Sequence, residues 1–283
     1  MIKSDLNTKQ VSKLFGVDSS TIRRWTMTNK IKCSVTAGGH RAFQYKHIID
    51  FAKKHGAKFI AKNKKNINKA KSIEQIINSS LALSQDSIDQ IFIQLYLHGI
   101  KLTTIMDDYI EESLIAIQHK LDLKEISVAE EHIARKIISK SLNTFRKSIT
   151  KSEEINNKNI LCLNLENDIP DLPIDMIQIL LENDGFTVHN SGSHTSIDNL
   201  KLLVNKTDYE AIFIYLCNRQ CCTATVESHI NDTNLSLKEI ASIGKQYNIK
   251  LFLGGPSTMN IEPDIIKDYK QFTNYADSLT LIK

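Results

Sequence analysis

The spacing of apolar residues changes twice along this chain, and each change predicts a different kind of domain. In residues 1–57 the apolar positions form short groups separated by glycines and polar turns. From 73 to 152 they recur at helical spacing almost without interruption, and from 158 to 283 short apolar runs alternate with helical stripes. The pattern predicts a multidomain chain with domains at 1–57, 73–152 and 158–283, and a Lys-rich linker at 58–72.

Two short helices are predicted near the N-terminus. Asn7 stands as an N-cap answered by Gln10, and the helix that follows ends at Gly16, where a left-handed turn costs little. A second helix, over residues 20–28, turns Ile22 and Trp25 inward. Its outward face carries hydroxyl and cationic side chains. Two helices joined by a tight turn, the second one cationic, are typical of a helix-turn-helix.

A small basic hairpin follows these helices. Residues 32–35 and 41–45 have the composition of short strands around Gly38 and Gly39, and residues 46–55 predict a third helix. The hairpin would form a wing on a helix-turn-helix that contacts double-stranded DNA. The residues expected at the DNA are Thr8, Ser19, Ser20, Thr21, Arg23, Arg24, Lys32, Gly38, Gly39, His40, Arg41 and Tyr45.

Residues 73–152 predict four amphipathic helices. Apolar stripes fall at 73–81, 88–95, 102–117 and 129–145, and Ser127 with Glu130 has the form of a capping box. Asp86 or Ser87 stands where the second helix needs a cap. Four such helices with short connections predict an up-and-down bundle.

Residues 158–283 predict an open parallel sheet with a Rossmann-like arrangement. Strands are expected at 160–165, 187–189, 211–216 and 251–253, alternating with helices at 174–183, 196–206 and 235–247. Such sheets bind ligands outside the carboxyl ends of their strands. The loops expected at that edge are 166–172, 191–196, 217–223 and 254–259.

Charge divides along the same boundaries. Residues 1–72 hold 17 Lys and Arg against 3 Asp and Glu, whereas residues 153–283 hold 10 against 18. The basic end suits a polyphosphate partner. The lysines at 58, 62, 64, 65, 69 and 71 either follow the DNA backbone or form a solvated linker.

Composition adds two expectations about location. The chain has no apolar run of 18 residues and no signal peptide, which favours a cytoplasmic protein without a membrane partner. Its five cysteines have no framework spacing and are expected to be reduced thiols.

The motifs resemble those of a known regulator family. The wing sequence GGHRAF at 38–43 is similar to the GGHRRF common in MerR-type DNA-binding domains, with Ala42 in place of one basic residue. The order of domains, the ISVAEEH segment at 126–132 and the LGGP segment at 253–256 resemble the CarH and LitR group of MerR-type photoreceptor repressors. That resemblance implies that the last two domains sandwich adenosylcobalamin.

The resemblance fails at two ligand positions. The family holds cobalt through a His in a D-x-H-x-x-G loop; Asp168 fits this loop, but Pro170 replaces the His, and Leu121 replaces a Trp that covers the cofactor. We therefore expect a sensor without cobalamin or another cofactor. The vestigial ligand positions would be Leu121, Glu131, His132, Asp168, Pro170, His194, Gly254 and Gly255.

These observations favour a transcriptional regulator over an enzyme. We expect a repressor that binds a palindromic promoter site as a homodimer or higher oligomer, controlled by a protein antagonist on the acidic C-terminal domain. One alternative is a light- or redox-sensing repressor that uses adenosylcobalamin or haem, since His194, Cys217, Cys221 and Cys222 fall at the ligand edge. Another is a corrinoid-carrying module of the kind found in methionine synthase and related methyltransferases.

Overall fold

The computed structural model describes residues 5–55, 67–150, 156–165, 172–192, 195–217 and 226–283. The chain divides into two compact units, Met1–Thr150 and Lys151–Lys283. The first unit holds both the N-terminal elements and the helical bundle, and the second holds the parallel sheet.

The N-terminal head, residues 5–55, contains three helices and a three-stranded antiparallel sheet. Its elements are β1 (Leu6–Asn7), α1 (Thr8–Phe15), α2 (Ser19–Met27), β2 (Ser34–Val35), β3 (Arg41–Phe43) and α3 (Tyr45–His55), with strand order β1-β3-β2. The predicted capping box between Asn7 and Gln10 is confirmed, and Gly16 closes α1 with φ 61°. Strand β1 was missed, since two residues are too short to show a period.

Aromatic rings form the core of the head. Trp25 on α2 packs against Phe15 on α1 and Phe51 on α3, with ring centroids 5.9 and 4.7 Å away. All three side chains are buried, as is Ile22 beside them. The predicted inward face of α2 is therefore confirmed, and this packing fixes the direction of its outward face.

Four helices make up the bundle. They are α4 (Lys69–Leu81), α5 (Gln85–Leu97), α6 and α7 (Val128–Ile149); α6 runs through Leu102–Thr104, a π-helical segment Ile105–Glu111, and Glu112–Asp122. The capping box of Ser127 and Glu130 at the start of α7 is confirmed. The expected cap at Asp86 or Ser87 is wrong, because α5 begins at Gln85, after Ser84, which makes no side-chain cap bond.

Helix α3 of the head packs against helices α5 and α7 of the bundle. Lys53 on α3 donates to the backbone oxygen of Ile149, 3.3 Å away, and its ammonium group lies 6.0 Å from the ring centre of Tyr96 on α5. The head and the bundle therefore share one packed unit.

Five parallel strands form the sheet of the second unit. They are β4 (Asn159–Leu163), β5 (Thr187–Asn190), β6 (Tyr209–Tyr215), β7 (Lys250–Gly254) and β8 (Lys270–Phe272), in the order β5-β4-β6-β7-β8. The first four confirm the predicted strands. Strand β8 was missed, because only Phe272 of its three residues is buried and the run shows no apolar pattern.

Helices cover both faces of this sheet. They are α8 (Leu172–Asn183), α9 (Ile197–Lys206), α10 (Val226–Tyr247), α11 (Pro263–Ile266) and α12 (Tyr275–Ile282), with a 3₁₀ turn at Pro256–Asn260. The chain leaves β4 toward β5 on one side and later returns to β6 on the other. The carboxyl ends of β4 and β6 therefore flank the switch point, where open α/β sheets bind ligands.

Candidate functional site

The outward face of α2 presents unpaired cations. Arg23 and Arg24 are exposed, and no carboxylate in the described part of the chain lies within 4.0 Å of either guanidinium. Asp18, the nearest acid in sequence, caps the helix instead: its carboxylate accepts the backbone N–H of Ser20 at 2.7 Å. That hydrogen bond lowers the pKa of Asp18, and the charge of Arg23 lowers it further. The helix therefore starts with a fixed anion and continues with free positive charge.

The predicted wing is a closed loop. The backbone N–H groups of Thr36 and Gly39 donate to His40 O and Thr36 O, each at 2.8 Å, and His40 N donates to the Thr36 hydroxyl at 3.2 Å. Gly39 has φ 77°, which a residue with a side chain rarely adopts. Gly38, Gly39 and His40 are all exposed. The loop thus holds His40 outward on a short, hydrogen-bonded turn.

Arg41 joins the wing to α2. It lies on the central strand β3, opposite Val35, two residues from buried Phe43. Residues two apart in a strand share a face, so Arg41 points toward the helices, as Phe43 does. Its Nε–H donates to the Thr26 hydroxyl on α2, 2.9 Å away.

Of the other residues predicted at DNA, some are accessible to solvent and one is hydrogen-bonded within the head. Ser20 and Lys32 are exposed, and Thr8 and Thr21 are half-buried. Ser19 donates to the Ser12 hydroxyl on α1 at 3.3 Å.

Tyr45 lies elsewhere than expected. It is only 4 % exposed, at the start of α3, where burial raises the pKa of its hydroxyl and the charge of Asp89 on α5 adds to that effect. Since α3 packs on the bundle, Tyr45 is part of the buried core. Its prediction as a DNA contact was therefore wrong.

The carboxyl edge of the sheet unit carries neutral polar groups. After β4, Leu165 forms an isolated parallel β-bridge with Thr195. The backbone N–H of Thr195 donates to Asn164 O at 3.2 Å. The hydroxyls of Ser191 and Thr195 are 2.7 Å apart, and Ser191 is exposed. These groups lie beside the switch point and bear no charge.

Two glycines shape the end of β7. A Cβ atom on Gly255, which has φ 101°, would overlap the backbone oxygen of Leu216 at the end of β6, and one on Gly254 would overlap the Phe272 ring. The Leu216 N–H donates to Gly254 O at 2.8 Å. Both glycines are therefore required by the close approach of β6, β7 and β8.

The vestigial positions of the bundle differ in accessibility. Glu131 is fully buried and ion-paired with Arg135, and the His132 Nε2 atom lies 3.7 Å from its other carboxylate oxygen. The imidazole of His132 is 56 % exposed and Leu121 is half-buried. Glu131 is thus ion-paired with Arg135, whereas the imidazole of His132 is exposed beside the same carboxylate.

Several predicted positions lie outside the described residues. They are Asp168, Pro170, His194, Cys221, Cys222 and the lysines at 58, 62, 64 and 65. Of the cysteines, Cys162 is buried in β4, which raises the pKa of its thiol, and Cys217 is half-buried. Within the described ranges no three His, Cys, Asp or Glu residues are grouped to hold a metal ion, and no helix is long and apolar enough to cross a bilayer.

Comparison with solved structures identifies the fold. The Methanosarcina barkeri monomethylamine corrinoid protein superposes with a TM-score of 0.56 at 14 % identity, over 75 % of this chain and 94 % of that one. The bundle and the five-stranded sheet therefore have a cobalamin-binding, Rossmann-like fold. At this identity the likeness shows the fold alone.

Two further similarities to solved structures are weaker. The Methanosarcina barkeri methanol:cobalamin methyltransferase complex has a TM-score of 0.36 at 13 % identity, over 80 % of this chain and 82 % of that one. A cobalamin-binding protein of Desulfitobacterium hafniense DCB-2 has 0.35 at 12 %, over 74 % and 96 %. No family model and no curated protein matches the chain.

The fold corrects one expectation. The prediction that the module has no cofactor is contradicted, because a solved protein that shares its fold is a corrinoid protein. This fold agrees better with the alternative of a corrinoid-carrying module than with a module that has no cofactor. Pro170 and Leu121 therefore cannot be read as evidence that the whole ligand site has been lost.

Proposed function

We propose that the second unit of this protein binds a corrinoid. The observation that carries the proposal is the fold, which covers 94 % of a solved corrinoid protein. When bound, a corrinoid supplies a cobalt macrocycle that absorbs visible light. The proposal concerns binding and does not require that this chain catalyse a reaction.

The neutral polar edge fits the rim of a corrinoid better than its cobalt. A corrinoid carries amide side chains around its rim, which pair with neutral donors and acceptors. The exposed Ser191 hydroxyl, which the buried Thr195 hydroxyl holds from 2.7 Å, and the half-buried backbone of Gly192 and Gly255 are groups of this kind at the carboxyl edge. Proline at 170 offers no nitrogen donor to cobalt. We therefore propose that these groups hold the corrinoid by contacts to its rim.

Equilibrium dialysis of the full chain against adenosylcobalamin in the dark, and against hydroxocobalamin, tests this proposal. We expect excess visible absorbance on the protein side, saturating at one corrinoid per chain. Ser191→Leu, which places a bulky apolar group at the edge, should weaken binding, and Ser242→Leu on the exposed side of α10 should not. Equal absorbance on both sides would refute corrinoid binding.

The head is a second functional surface, which we assign to double-stranded DNA. Two features support this assignment. The cationic face of α2 has no ion pair within the described residues, and the bond from Arg41 to Thr26 holds the wing beside it. Arginine can fork onto guanine O6 and N7 in a major groove, and a wing cation suits a narrow minor groove. The head would act as a winged helix-turn-helix of MerR type.

Together the two surfaces make a corrinoid-responsive transcription factor. A single small head makes few contacts, so a dimer or higher oligomer on a palindromic site would raise affinity. A protein antagonist on the acidic second unit remains part of the proposal. We assign the chain a regulatory rather than an enzymatic role.

Selection of duplexes from a random pool by the full chain, followed by fluorescence anisotropy, tests DNA binding. Arg23→Ala and Arg41→Ala should each weaken specific binding by roughly 5- to 150-fold, as expected for loss of a base or groove contact worth about 1 to 3 kcal/mol. Lys206→Ala, an exposed cation on α9, is the matched control. Unchanged isotherms for both arginine variants would refute the assignment.

A further inference from the structure

The Thr26 hydroxyl lies at the junction of helix α2 and the wing. It makes two hydrogen bonds: one from Arg41 Nε at 2.9 Å, and one to the backbone oxygen of Arg23 at 2.7 Å. The first crosses 15 residues of sequence and the second stays within one turn of helix. One side chain thus connects the wing arginine to the helix that carries Arg23.

The direction of both bonds follows from the chemistry of the groups. A guanidinium has no acceptor, so Thr26 must accept from Arg41. A carbonyl cannot donate, so the single hydroxyl proton of Thr26 goes to Arg23 O. The bond to the carbonyl therefore turns the lone pairs of the hydroxyl oxygen toward the wing.

This bond leaves the rest of the guanidinium free. Only the Nε–H of Arg41 is used, and within the described residues its terminal amino groups have no protein acceptor and no carboxylate within 4.0 Å. Arg41 is half-buried, whereas His40 beside it is exposed. A long side chain that would otherwise sample many rotamers is held at one end, with its outer donors available.

We infer that Thr26 is a positioning residue that sets the distance between the wing arginine and the α2 arginines, so that both reach one DNA site. The inference rests on the DNA-binding function proposed above. It assigns to Thr26 no contact with DNA. Holding Arg41 in place reduces the conformational entropy that binding would otherwise remove.

Thr26→Val removes the hydroxyl while keeping the shape and β-branching of the side chain. We expect about a five- to tenfold loss of affinity for the selected duplex, the value of one hydrogen bond near 1 kcal/mol. Thr26→Ser, which keeps the hydroxyl, should retain most of the wild-type affinity. Thr28→Val is the matched control, because Thr28 also bonds a carbonyl of α2, that of Arg24 at 2.9 Å, and has no bond to the wing.

A double-mutant cycle separates positioning from a direct contact. Thr26→Val should cost nothing further in the Arg41→Ala background, since its effect passes through Arg41. Additive losses, or an equal loss for Thr28→Val, would overturn the inference.

Nitrogen-15 NMR of the free chain gives a readout that does not depend on DNA. The Arg41 Nε–H should exchange slowly in wild type and in Thr26→Ser, and rapidly in Thr26→Val. If the Arg41 Nε–H exchanges slowly in wild type but wild type binds no duplex, the proposed DNA-binding function is contradicted, and the positioning role with it. Equal DNA affinities of wild type and Thr26→Val would contradict the positioning role alone and leave the proposed DNA binding intact.

Discussion

Gly255 shows how a single residue can be fixed by the fold itself. Its backbone has φ 101°, and a Cβ atom there would overlap the carbonyl oxygen of Leu216. The LGGP segment could be recognised from sequence, but whether its glycines face a ligand or a neighbouring strand could not. That distinction depends on a long-range approach of β6 and β7, which the local sequence does not encode.

Gly255→Ala should therefore destabilise the second unit strongly. We expect a loss of more than about 3 kcal/mol, because backbone strain adds to a steric clash. Gly192→Ala is the control: Gly192 also has positive φ, 70°, but nothing lies within 4 Å of a Cβ atom there. It should cost only about 1 to 2 kcal/mol. Urea unfolding followed by circular dichroism measures both, and equal losses would contradict the packing described for Gly255.

Asp89 is a buried carboxyl group in the bundle, close to Tyr45 of the head. Burial, with a smaller contribution from the charge of Asp86, raises its pKa to about 7, while hydrogen bonds from Ser141 and Gln85 act the other way. The side chain is 2 % exposed. The folded state therefore favours the protonated form.

The raised pKa of Asp89 predicts a pH-dependent stability. Below the unfolded value near 3.8 both states hold the proton; as pH rises toward about 7 only the unfolded state has lost it, so the folded state becomes less stable. Asp89→Asn should nearly match wild type at pH 4 and gain on the order of 4 kcal/mol relative to it at pH 8, because the folded and unfolded pKa values of Asp89 differ by about 3.

Trp25 fluorescence during urea unfolding at the two pH values measures the effect of Asp89→Asn. Asp122→Asn, on the exposed end of α6, is the control. A difference between Asp89→Asn and wild type that does not change with pH would contradict the account of Asp89.

At the scale of elements, those with a repeated apolar pattern could be predicted and those without it could not. The bundle helices and strands β4 to β7 bury residues at regular intervals, so their period is visible in sequence. Strands β1 and β8 are two and three residues long, and the π-helical segment at Ile105–Glu111 keeps an apolar stripe like that of an α-helix. The packing of α3 on the bundle left no mark in the sequence, which is why Tyr45 was misplaced.

This packing predicts that the head and the bundle unfold together. Trp25 is the only tryptophan in the chain and is buried in the head, so its fluorescence reports the head alone. Backbone amides of α5 and α7, followed by hydrogen exchange, report the bundle. We expect amides of both regions to share one opening free energy in the most protected class. Loss of the Trp25 signal well before the exchange of the bundle amides would show that the two fold separately.

At the scale of the molecule, charge and fold separate two tasks. The first 72 residues hold 17 Lys and Arg against 3 Asp and Glu and the last 131 are acidic, so a polyphosphate would be attracted to the first of these regions. That division was visible in sequence, as was the parallel sheet. The proposed corrinoid was not predicted, because the absence of one axial ligand at Pro170 says nothing about contacts to the rim of a corrinoid.

The basic end predicts a steep salt dependence of DNA binding. Replacing one phosphate-contacting lysine should reduce the slope of log K against log salt by about 1 and weaken all sequences equally. Lys32→Ala should show this effect, because Lys32 is exposed and has no ion pair within the described residues. Anisotropy titrations at several salt concentrations, with Lys206→Ala for comparison, measure it. An unchanged slope would place Lys32 away from the backbone.

Multiwavelength sedimentation of the full chain with a labelled duplex, with and without adenosylcobalamin in the dark, tests the central claim most directly. It follows protein, corrinoid and DNA in one sample. The account predicts that corrinoid absorbance sediments with the protein, one per chain, and that the amount of duplex carried with the protein changes when corrinoid is present. Corrinoid that remains as a free small molecule beside folded protein would contradict it.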